Sequence, residues 1–130
     1  MPTRHHLDCT TWAAECAERV LSFFELEEPD DFRPRNAIEA ARMWRDGELA
    51  MSDARKAAFA AHKAARNTKK PEAVAAARSA GHAAATAHAL GHAKHAATYA
   101  QKAIGAAGQN VEAEKQWQNA RKFDLTNGRS

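Results

Sequence analysis

The chain has 130 residues, is 45% hydrophobic and 27% charged, and carries a formal net charge of +3. Its 33 alanines, scarce β-branched residues and lack of alternating apolar and polar runs exclude a sheet protein and predict an all-α, compact single domain, 1–130. No apolar run approaches the ~18 residues of a membrane span, and the polar start MPTRHHLDCTTW is no secretory signal, so a cytoplasmic protein with no membrane partner is expected.

The first helix is predicted from Asp8, a good N-cap, to Glu27 before Pro29. Its apolar stripe takes in Cys9, Trp12, Cys16, Val20, Phe23 and Phe24. On one helix Cys9 and Cys16 lie about 10.5 Å apart along the axis, too far for a disulfide, so both read as free thiols. The loop EEPDDFRP follows. A second helix opens at Pro34 and stops at Asp46-Gly47. Ser52 is read as the cap of a third helix reaching Arg66, with Ala54, Ala57, Ala58, Ala61, Ala64 and Ala65 on one side.

From Pro71 to Ile104 there is no further proline. Unbroken, that helix would be about 51 Å long, against a diameter of roughly 36 Å for a compact chain of this size. A break is therefore predicted at Leu90-Gly91, with the glycine as a left-handed cap. Gly105 and Gly108 end the next helix, and Asn110 opens a last one reaching Phe123. The reading is a bundle of about six helices, without an internal repeat. Its few large side chains fill the centre, and residues 1–7 and 124–130 are frayed tails.

The charge is uneven. Residues 1–48 hold six Lys and Arg against eleven Asp and Glu, whereas residues 49–130 hold thirteen against five. Glu25, Glu27, Glu28, Asp30 and Asp31 crowd into seven positions, followed by Arg33 and Arg35. This stretch reads either as solvated loop charge or as an electrostatic docking patch for a protein partner. The positive charges are dispersed, with only Arg66, Lys69 and Lys70 clustered, so nucleic acid is not the expected partner.

AGHAAATAHALGHAKHAATYA places His82, His88, His92 and His95 within fourteen positions. His88 and His92 have the i, i+4 spacing of two imidazoles on one ion, but the predicted break falls between them and His95 is too far along the axis. Packing of the rings between alanine seams is the competing reading, and no metal or cofactor is expected. Glu18, Arg19, Glu39 and Arg42 border the apolar stripes. They read either as rim residues or as members of an internal carboxylate–guanidinium–imidazole network with His82, His88 and His92. CxxC, HExxH, GxSxG and phosphate-loop patterns are all missing, and Cys16 sits in the apolar stripe, so no enzyme is expected.

Taken together, TWAAECAERVLSFFE, RPRNAIEAARMWRDGEL, the histidine stretch and EKQWQNAR resemble, in this order, the immunity-protein-five-like family of bacterial polymorphic toxin systems. The resemblance covers about residues 8–122. It is carried by Trp12, Cys16, Glu18 and Arg19; by Pro34, Arg35, Ala37, Ile38, Glu39 and Arg42; and by Gly81-His82, His88, His92, Tyr99, Glu114 and Trp117-Gln118. His95 and the C-terminal ARKFDLTNG depart from the pattern. The resemblance implies a small helical protein that binds a protein toxin stoichiometrically and blocks it without catalysis. The alternative is a small-ligand- or metal-binding helical protein using the Glu/Arg/His residues.

Overall fold

The computed structural model describes residues 2–127. They form seven helices and, among the described residues, no strand: α1 (Arg4–Glu18), α2 (Leu21–Glu27), α3 (Arg33–Arg45), α4 (Met51–Arg66), α5 (Pro71–Ala85), α6 (His92–Ala106) and α7 (Val111–Asn127).

Helix α5 is the axis of the bundle and touches α1, α2, α3, α4 and α6. Ten of its residues are buried, all of them Ala, Ser or Gly. A helix ringed by neighbours must be small on every side, and alanine alone combines that with high helix propensity. The larger buried groups include Cys16, Val20, Phe24 and Ile38, fully buried in the same core cluster as Trp12. The expectation that the large residues fill the centre holds in part: among the aromatics Trp12 and Phe24 are buried, and Val20, Leu21, Ile38, Ile104 and Leu125 join them. Phe32, Phe59 and Phe123 are exposed, and alanines make up most of the core.

Several boundaries differ from the sequence reading. Helix α1 starts at Arg4, where the Thr3 hydroxyl accepts from the His6 amide at 3.0 Å, so the predicted cap Asp8 lies buried within the helix. The predicted first helix is two, because the chain bends at Arg19-Val20 and sends α2 against α5. Helix α4 is capped by Ala50, which makes no side-chain cap bond, instead of Ser52. The C-terminal end is helical through Asn127, beyond the predicted Phe123, because Leu125 reaches back into the core at 6% exposure. Gly47 and Gly108 take positive φ after α3 and α6, as turn glycines do.

The predicted break between α5 and α6 exists, but its position and cause differ. Helix α5 ends at Ala85, five residues before Leu90, and Gly91 has an ordinary helical φ of −60°. Thr86 is fully buried; its hydroxyl donates to the His82 carbonyl at 3.0 Å, and its own carbonyl lies 2.6 Å from Nε2 of His6 on α1. A distant imidazole thus holds the end of the helix, with no glycine required.

Candidate functional site

Three polar groupings stand out, and the residues suspected of one internal network are divided among them. The first lies where α4, α5 and α6 meet. Helical spacing puts Arg55, Phe59, His62 and Arg66 on one side of α4, Arg78 and His82 on one side of α5, and His92, His95 and Tyr99 on one side of α6. His82 sits in the middle: its ring centroid is 4.9 Å from His62, 5.1 Å from His92, and 5.3 Å from both His95 and Tyr99. His88, in the turn, is 5.4 Å from His92. Nδ1 of His82 lies 2.9 Å from Nδ1 of His92, so one ring donates and the other accepts. Arg78 reaches Nδ1 of His62 at 3.0 Å.

Space here is tight. A Cβ on Gly81 would stand 2.7 Å from two atoms of the His62 ring, so the imidazole lies directly on the α5 backbone. Burial pushes His62 down to about 4, with Arg78, Arg66 and His92 acting in the same direction. Burial likewise takes His82 down to about 3, helped by His62, His92, His95 and Arg78. His88 and His92 are also lowered, burial again being the main cause. At neutral pH these four rings are neutral. Among the described residues, no three His, Cys, Asp or Glu side chains are placed to hold a metal ion. His62 was missed by the sequence reading because it stands twenty residues from His82; its place opposite Gly81 is a tertiary fact.

The second grouping fastens α7. Nε of Arg19 donates to both carboxylate oxygens of Glu114 at 3.0 and 3.1 Å, while its guanidinium carbon lies 3.9 Å from the Trp117 ring centroid. Glu114 is 3% exposed. The Gln118 side-chain amide donates to the Ala97 carbonyl of α6 at 3.0 Å, and the Gln118 backbone carbonyl accepts from the Trp12 indole at 2.8 Å. These residues carry the resemblance to the family, and here they join α1, α6 and α7.

The third grouping is the charged rim of α1, α2 and α3. Arg42 binds Glu18 and Glu39, so neither glutamate nor Arg42 meets the imidazoles. Arg35 pairs with Glu25 at 2.6 Å, Arg33 with Asp31 at 2.6 Å, and Lys70 with Glu27 at 3.3 Å. Glu28 accepts from the Thr68 hydroxyl at 3.0 Å, while Asp30 is exposed. The hydrogen bonds from Arg33 hold the Asp31 carboxyl below the usual range. Within this rim Leu26 is 77% exposed and Phe32 56%. Both thiols are free, and burial raises them, so neither is an activated nucleophile.

The family model described as "Imm-5 like putative immunity protein" matches residues 1–123, and the chain belongs to that family. No curated protein and no solved structure matches it. No helix among the described residues is long and apolar enough to cross a membrane.

Proposed function

We propose that this protein is an immunity factor that binds a protein toxin one to one and blocks it by occlusion, with no chemistry of its own. The family match over residues 1–123 carries this reading. The state of the groups is consistent with it: the imidazoles are neutral, the thiols are buried and protonated, and the rim carboxylates are internally paired, so none is an activated catalytic group.

The proposed contact surface is the stretch from Glu25 to Arg35, which spans the end of α2, the connecting loop and the start of α3. Its ion pairs tie the loop to α3 and to the α4–α5 connection. The loop is thereby pre-organised, which lowers the entropy cost of binding. Exposed Leu26 and Phe32 supply apolar anchors in the same stretch of chain as the charged Glu27, Glu28, Asp30, Asp31 and Arg33.

The test uses the toxin encoded beside this gene. Co-expression should rescue growth, and the two chains should co-purify at equal stoichiometry. Leu26→Ser with Phe32→Ser should weaken the complex by about a hundredfold, two large anchors being worth roughly 3 kcal/mol. Both side chains are exposed, so the thermal midpoint should hardly move. Rescue without a complex, or a complex indifferent to both substitutions, would refute the function or the surface respectively.

A further inference from the structure

The arginines divide sharply by location. Arg4, Arg19, Arg33, Arg35, Arg42, Arg45 and Arg121, all on α1, α3, α7 or the α1–α2 bend, each have a carboxylate within 4.0 Å. Arg55, Arg66 and Arg78, on α4 and α5, have none among the described residues. Arg78 instead donates to a neutral imidazole, and Arg55 lies 5.5 Å from the Phe59 ring centroid. Residues 51–106 hold nine Lys and Arg against two acids, Asp53 and Glu72, each in the first turn of its helix. Helix α6 has no acid at all.

Chance pairing does not suit this pattern, because the chain pairs its other described arginines even where they are well exposed. The three guanidiniums without a carboxylate border the histidine cluster: Arg78 bonds His62 at 3.0 Å, and Arg55 and Arg66 share the side of α4 that carries His62. The cluster contributes ring N–H donors and, again, no carboxylate. Guanidiniums that lack a carboxylate partner beside such donors match the planar geometry of carboxylates.

We propose that the α4–α6 face formed by Arg55, His62, Arg66, Arg78 and His92 is a docking surface for an acidic segment of a protein partner, whose Asp and Glu side chains complete the missing ion pairs. That the partner is a protein rests on the immunity reading; the charge it must carry rests on the pairing pattern. The face continues into the proposed loop surface, since Arg66 ends α4 and Thr68 and Lys70 just beyond it hold Glu28 and Glu27.

A fluorescent oligoglutamate of about ten residues serves as the probe, titrated at low salt against the full chain. It should bind, and Arg55→Gln with Arg66→Gln should weaken binding at least tenfold. Lys115→Gln with Lys122→Gln, which removes equal charge from α7, should change it less than twofold. Arg78→Gln should also weaken binding, and thermal melts accompany every variant. If Arg78→Gln unfolds the chain, the exposed Arg55/Arg66 pair still decides the question. Equal losses from both pairs, no binding at all, or tighter binding of an oligothymidylate of the same charge would overturn the proposal. None of these results involves the toxin, so failure here is separable from failure of the immunity reading, which would show as loss of rescue.

Discussion

Gly81→Ala has an effect whose sign depends on a residue nineteen positions away. In an open helix the change would stabilise by about 0.8–1 kcal/mol, the propensity difference between the two residues. In this fold the new methyl would meet Cε1 and Nε2 of His62 at 2.7 Å and Nδ1 at 2.9 Å. Favourable contact between such atoms lies near ~3.5–4.0 Å, so the ring must retreat by most of an ångström. It cannot do so freely, because it holds Arg78 at 3.0 Å and packs edge-on against His82 at 4.9 Å. Overpacking of this kind costs roughly 1–3 kcal/mol. The net expectation for Gly81→Ala is therefore a loss of about 0–2 kcal/mol.

Removing the ring removes the clash. On a His62→Ala background, Gly81→Ala should stabilise by up to about 1 kcal/mol, giving a coupling of roughly 1–3 kcal/mol. Urea denaturation of the four proteins, with the m-value checked for constancy, measures each corner of the cycle. A coupling of zero, with alanine stabilising both backgrounds equally, would show that His62 does not lie on the α5 backbone. It would also dissolve the histidine cluster as described.

Acid should weaken the fold before carboxylates titrate. His62 and His82 are held down to about 4 and about 3, against ~6.5 when unfolded, so the unfolded chain binds more protons in that window. Stability is therefore full above ~6.5 and falls as pH drops towards the folded values. Allowing for partial exposure, the pair should cost about 2 kcal/mol at pH 5, and His62→Gln with His82→Gln should flatten the urea midpoint between pH 7 and 5. Arg19→Ala strips a buried carboxylate of its partner and should cost about 2–3 kcal/mol by the same assay, more than any exposed pair on the rim. Leu125→Ala should cost about 2 kcal/mol and release amide protection over residues 120–127, whereas a truly frayed end would show no protection in the parent chain either.

The all-α fold, most helix positions and the break before α6 were legible because alanine content, prolines and turn glycines act locally, through backbone propensity. The free cysteines followed from spacing alone, and the family from its ordered motifs. What the chain could not disclose by itself is which polar side chains meet. Glu18, Arg19, Glu39 and Arg42 looked equally suited to the imidazoles, yet Arg19 bonds Glu114 and Arg42 takes the two glutamates. Helical periodicity says which residues share a face, but the rotation and pairing of helices decide what that face confronts. The end of α5 makes the same point. Local rules placed it at Gly91, whereas His6, eighty residues away in sequence, holds it at Thr86. An unpaired carbonyl at a buried helix end must find a donor, and only the assembled bundle decides where that donor stands.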